Sequence, residues 1–397
     1  MKEGMKALPA SGEYIKPNFF LYYFFIFFAI GSLSPLLPIY LRGEGLTGSQ
    51  MGLLLSMSPV IMIIIQPVWG MLSDQTKRPI GLLTIALCCT SLFGIVYSLV
   101  HPYPLLLLAA VFLAVFQSAL IPLSDSVAVS YAQKSGTPYG SIRLWGAIGF
   151  AISVVLLGKL SEIFGLSIIF YAFAIVLIAA AFLVRRLPND HIEIKTGIRK
   201  GLKELSGVPA YFVFLLISFL VLGPILANNF YFGIYINHLE GGLSGIGIAF
   251  FLAAGSEAPF MSFAGKWISR FGIKRILFAA ALISTIRWFM YFFEPPLAVI
   301  YATTIVQGFS TGLFIPAALQ YVRDIAPVSV GTTAISLYSA VGNGLGNWFC
   351  TFLSGMIYEK FSILAVYLLF GIMSAAALVI LLGLKTAPAV TMVKKAG

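Results

Sequence analysis

Twelve apolar stretches, each long enough to cross a bilayer, take up nearly all of this chain. A helix spanning the hydrocarbon core needs about 20 mostly apolar residues. Polar breaks divide the 397 residues into runs near 18–41, 50–73, 80–100, 104–132, 140–164, 166–186, 210–237, 244–270, 274–293, 297–322, 331–358 and 362–384. Only 10% of residues are charged, against about 25% in a soluble protein. The runs are continuously apolar rather than alternating, which excludes a transmembrane β-barrel. The first run is too long for a cleavable leader and leads directly into a second. Inside lipid every backbone group needs an internal partner, so each run is expected to be a helix. The chain therefore reads as an all-α membrane protein with twelve transmembrane helices.

The net charge of +11 is a topology signal, not a nucleic-acid surface. Nineteen of the 25 Lys and Arg residues fall at the N-terminus, in even-numbered loops or at the C-terminus, while odd-numbered loops carry only Arg42, Lys159 and Lys360. The positive-inside rule then places both termini and the central loop in the cytoplasm, with the protein multi-pass in the cell membrane. The same basic residues are placed to meet anionic lipid headgroups. Cys88, Cys89 and Cys350 lie in apolar runs and form no disulfide or metal framework. His101, His191 and His238 have no second ligand at metal spacing. No metal or cofactor is expected.

The longest polar stretch, Arg185 to Ser206, divides six runs from six. This predicts an N-terminal six-helix bundle over 1–186, a cytoplasmic linker over 187–209 and a C-terminal bundle over 210–397. The halves repeat. Gly70-Met-Leu-Ser-Asp74-Gln-Thr-Lys77-Arg78 follows the second run, and Gly265 to Arg275 follows the eighth; the leading glycines are 195 residues apart, and Pro122 and Pro316 are 194 apart. Two parallel repeats flanking a solute site is a known transporter design.

Of 14 acidic residues, only Asp125 and Glu257 lie deep within runs. Each has an arginine across the next turn. Asp125 and Arg143 are equally far from a turn centred near Lys134, and Glu257 and Arg287 from one at Phe271–Ile273. Matching depth predicts two pairs, each about 13 Å or more inside the membrane. Charge there marks a solute path or a proton relay, the alternative being a structural ion pair. Arginine offers a planar fork for a carboxylate or for vicinal hydroxyls. Engaging the arginine with solute lets its acid load a proton, and exposure on the other side releases it. Asn228, Asn229 and Gln307 are further candidates for a polar solute, with Gln117, Ser310, Gln320, Asn343 and Asn347; amides equally join helices. Phe150, Tyr23, Trp145, Tyr231 and Tyr235 could stack on a ring, with packing as the default. The Gly342-Gly344-Gly346 run lacks a P-loop lysine and suits close helix packing. No hydrolase motif is present, so no enzymatic activity is expected.

Taken together, the twelve runs and the Gly70, Asp74, Lys77, Arg78 loop resemble the major facilitator superfamily, whose signature is Gly-x-x-x-Asp-x-x-Gly-Arg-Lys. The glycine before the basic pair is missing here. Within it the chain is most similar to the lactose permease group and related oligosaccharide, nucleoside and phenylpropionate proton symporters, through Leu33-Ser34-Pro35-Leu-Leu-Pro38, Gln66-Pro67-Val68-Trp69-Gly70 and Tyr139-Gly140-Ser-Ile-Arg143-Leu-Trp-Gly146. The resemblance implies two pseudo-symmetric six-helix bundles cycling by alternating access around a central site. It puts solute binding on Asp125 and Arg143, ring stacking on Phe150, and proton coupling on Arg287. The histidine and glutamate of the family's coupling network fall at Gln307 and Ser310, so Glu257 is read as the acid that replaces them. The expected function is proton-coupled uptake of a small polar solute such as a sugar or nucleoside, by a monomer, with the proton as coupling ion. The rivals are a proton-driven exporter of drugs or amphipathic compounds and a non-transporting membrane sensor. The fifth run lacks the Gly-Pro-x-x-Gly-Gly element of many antiporters, which favours uptake.

Overall fold

The computed structural model describes residues 12–137, 139–189, 204–327 and 330–384; most of the expected linker lies outside them. The described residues form twelve helical spans. The first half holds α1 (Gly12–Leu33, prolonged by a short helix, Leu37–Gly43), α2 (Gly48–Thr76), α3 (Pro79–Leu99), α4 (Tyr103–Ser135), α5 (Tyr139–Phe164) and α6 (Ile168–Val184). The second holds α7 (Pro209–His238), α8 (Gly242–Phe271), α9 (Ile273–Phe292), α10 (Leu297–Ile325), α11 and α12 (Ile363–Gly383). α11 is composite: Gly331–Ser339, a π-helical segment Ala340–Gly346, and Asn347–Lys360. The first span breaks after Leu33 because Pro35 removes a backbone donor and crowds the preceding turn. Pro122 and Pro316 instead sit inside continuous helices.

The repeat seen in the sequence is a repeat of contacts. In the first half α1 packs on α5 and α6, α2 on α4, and α3 on α4 and α6. In the second, α7 packs on α11 and α12, α8 on α10, and α9 on α10 and α12. Adding six to each label turns one set into the other. The halves meet through the symmetric pair of contacts α2 with α11 and α5 with α8.

Both cross-half contacts are tightest at the end of the molecule away from the linker, called here the far end. A Cβ on Gly52 would stand 2.9 Å from the Gly355 Cα, and one on Gly247 would stand 2.5 Å from the Val154 carbonyl oxygen. Only glycine allows backbones this close. Beside each contact, a carboxylate of one half receives the first turn of a helix of the other. Glu162, ending α5, accepts bonds from the Ser244 backbone N–H (2.8 Å) and hydroxyl (2.6 Å) at the start of α8. Glu359, ending α11, accepts the Ser49 backbone N–H (2.6 Å) at the start of α2. A helix N-terminus leaves N–H groups free and carries partial positive charge, so a carboxylate is favoured there.

At the linker end the halves part. Met261, Ser262 and Phe263 of α8, three in succession, are all exposed. Successive helical residues point about 100° apart, so more than one side of α8 faces open space there. The molecule is closed at the far end and open at the linker end. The double variant Glu162→Gln, Glu359→Gln keeps side-chain size and removes both charges. It is expected to loosen the far-end closure, so that a cysteine at Ser58, in a chain with its native cysteines replaced, reacts faster with an impermeant maleimide. An unchanged rate would show that the carboxylates do not hold the halves together.

Candidate functional site

Helix α4 runs to Ser135 and is capped by Gly136 at φ 70°, so the turn falls later than Lys134. Asp125 thus sits further from the turn than Arg143, and the long arginine side chain makes up the difference. Asp125 Oδ1 lies 3.8 Å from Arg143 Nη1 and accepts a 2.6 Å hydrogen bond from the Tyr23 hydroxyl of α1. Tyr139 acts on the same carboxylate. The guanidinium stacks 4.2 Å over the Phe27 ring. At 3.8 Å the ion pair is an electrostatic contact rather than a hydrogen bond, and Arg143 Nη1 has no hydrogen-bond partner among the described residues. The side chains of Arg143 and Asp125 keep 40% and 32% of their exposure. So open a pair contributes little to stability, and it is accessible to solute and water.

Glu257 is half-buried on α8 of the second half. The cation whose field acts on it is Arg143. The expected partner, Arg287, forms no ion pair among the described residues. Arg287 is 4% exposed, packed 4.2 Å over Trp288 and 5.4 Å from Tyr291, with Nε and Nη2 unbonded among the described residues. The expected pair Glu257–Arg287 is therefore corrected. Equal distance from a turn sets depth, but the rotation of each helix decides which neighbour a side chain meets. Arg143 pairs with Asp125, and its field reaches Glu257 of the other half with no ion pair between them among the described residues.

The remaining candidates divide. Asn228 is buried and its carbonyl accepts the Tyr367 hydroxyl at 3.0 Å, a bond that ties α7 to α12. Asn229 is exposed. Gln307 has a buried Oε1 without a partner among the described residues and precedes Gly308, whose face packs on the Ser256–Glu257 backbone. Phe150 is half-buried on α5, two turns beyond Arg143, and packs on the core. In the loop after α2, Gly70 faces open space and Asp74 ends its helix with a partner. Lys77 stands three residues after Asp74, where the signature has glycine, and adopts a left-handed φ of 53°. Its carbonyl accepts the Asn189 side-chain amide at 3.3 Å; Arg78 follows as N-cap of α3. The Gly342–Gly346 run is a packing surface: Gly342 meets Leu222, Gly344 meets Ile63 and Gly346 meets Phe219. Sequence reasoning missed the roles of Tyr23, Phe27 and Tyr139, since a tyrosine 102 positions from its acid leaves no spacing signal.

A family model described as the MFS_1 like family matches residues 18–369. The chain belongs to this family. It is 48% identical over 369 residues to a maltose permease of Geobacillus stearothermophilus, covering 92% of this chain and 94% of that protein. It is 27% identical over 353 residues to a probable 3-phenylpropionic acid transporter of Escherichia coli (strain K12), covering 85% and 89%. The crystal structure of the nucleoside transporter NupG superposes with a TM-score of 0.82 at 17% identity, over 93% of this chain and 98% of that one. The major facilitator fold and the likeness to the permease and phenylpropionate group are thereby shown.

Arg287 packs against rings and, among the described residues, has no carboxylate to leave orphaned. Exchanging an unpaired buried charge for an apolar side chain of similar length removes a desolvation cost of several kcal/mol against a cation–π gain of about 2 kcal/mol. Arg287→Met is accordingly expected not to lower the melting temperature of the purified protein. A clear drop would reveal a partner for Arg287.

Proposed function

We propose that this protein takes up a maltose-class oligosaccharide together with protons, by alternating access, without chemical change to the sugar. The observation that carries the reading is the open Asp125–Arg143 pair, with Glu257 of the opposite half in the field of the same arginine. A guanidinium fork beside a carboxylate suits vicinal hydroxyls. The name of the 48% identical permease supports the sugar class.

Solute hydroxyls that engage Arg143 weaken its hold on Asp125 and Glu257. A carboxylate that loses its cation takes up a proton more readily. Because Glu257 belongs to the second half, rocking of the halves changes its distance from Arg143, which links proton loading to the state of the carrier. The excess of basic residues at the termini and in even-numbered loops supports a cytoplasmic linker end in a cell membrane. On that reading the open end faces inward. Each chain holds a whole path, and a monomer suffices. The proton is the coupling ion and no cofactor is needed.

Right-side-out vesicles with an inward proton gradient test this. Labelled maltose is expected to accumulate, and a proton ionophore to abolish accumulation. Asp125→Asn and Arg143→Gln are expected to abolish uptake, and Glu257→Gln to abolish accumulation while slower exchange persists. Extrusion of amphipathic compounds in place of uptake would identify an exporter, and absence of any flux a sensor.

A further inference from the structure

Beyond the ion pair, toward the far end, a cavity of about 80 Å³ is lined by the first half, with Phe230 as its one lining residue from the second. Its wall carries Ser34, Ser58, Gln117 and Tyr97 from the first half and the ring of Phe230 from the second. Gln117 is two turns beyond Asp125 along α4, and Ser34 is three turns beyond Tyr23 along α1, about 12 and 16 Å at 1.5 Å per residue. The cavity therefore continues the line of the site.

Its polar groups are uncommitted. Serines in these helices usually turn back on their own backbone. Ser32 bonds the Ala29 carbonyl at 2.7 Å, Ser56 the Leu53 carbonyl at 3.0 Å and Ser118 the Val115 carbonyl at 2.7 Å. Ser34 and Ser58 lie two residues from the first two, and Gln117 beside the third. Among the described residues, none of their side chains makes a hydrogen bond. Three free hydroxyl and amide groups thus face one space, opposite an aromatic ring, with no charge in the lining. Hydroxyls and an amide match sugar hydroxyls, the Phe230 ring matches the C–H face of a pyranose, and the lack of charge favours a neutral group over a phosphate or carboxylate.

We infer that Ser34, Ser58 and Gln117, with Phe230, form an outer subsite for the second ring of an oligosaccharide whose first ring engages Asp125 and Arg143. The subsite rests on the sugar-uptake reading and adds to it a preference for sugar length. The far end is closed in this state, with Phe230 of the second half sharing the cavity lining with Ser34, Ser58 and Gln117. Withdrawal of Phe230 with the second half, as that end opens, provides the room. The second ring is then released when the far end closes, which commits the sugar to the inner site.

The test uses the full-length purified protein and compares apparent affinities for maltose and glucose by thermal shift. The wild type is expected to bind maltose more tightly than glucose. Gln117→Leu and Ser58→Ala are each expected to weaken maltose binding about tenfold, the scale of one or two hydrogen bonds, with a smaller change for glucose. Gln117→Asn, which keeps the amide, is expected to recover part of the preference. Variants that keep the wild-type preference would overturn the subsite while leaving sugar uptake standing. A wild type that binds no sugar would overturn the sugar reading and the subsite with it.

Discussion

The guanidinium of Arg143 cannot shed its charge, and it sits within a span that must cross hydrocarbon. That constraint organises the centre of the molecule. A membrane charge has to be paired, hydrated or stacked, and Arg143 is all three: it faces Asp125, acts on Glu257, lies over Phe27 and remains open to solvent. None of these contacts is tight. The ion pair is too long for a hydrogen bond, and Glu257 feels the cation without pairing with it. A lock meant for stability would be short and dry. A loose, half-exposed pair is one that solute can enter.

The rest of the fold serves to move those halves. Duplication supplies two bundles with matching internal contacts, and the exchange of α2 with α11 and α5 with α8 supplies two matching seams. Glycines let the seams close at the far end, and a carboxylate beside each one seats on the opposing helix start. These bonds are exposed and individually weak, which suits a contact that has to break in each cycle. The open linker end and the closed far end are then two views of one state.

Much of this was legible in the sequence, because lipid imposes strong rules. Length and apolarity gave the spans, repeated glycines and prolines gave the duplication, and the rarity of buried charge singled out Asp125, Arg143 and Glu257. The boundaries were blunter: α4 runs past Lys134, and α11 hides a π-helical segment at Ala340–Gly346 that its glycines suggested only as close packing. The pairing of Glu257 with Arg287 failed because depth can be counted along a chain and azimuth cannot. The bond of Tyr23 to Asp125 and the far-end carboxylates went unseen for a related reason, since their partners lie far away in sequence and are brought near only by the fold.

The central claim is that Arg143 couples carboxylates of opposite halves, and a double-mutant cycle on sugar binding with Arg143→Lys and Glu257→Gln tests it most directly. A coupling energy of about 1 kcal/mol or more between the two positions is the result expected of groups that share one site. Additivity to within about 0.3 kcal/mol would mean that they act independently, and the account of coupling through Arg143 would be wrong.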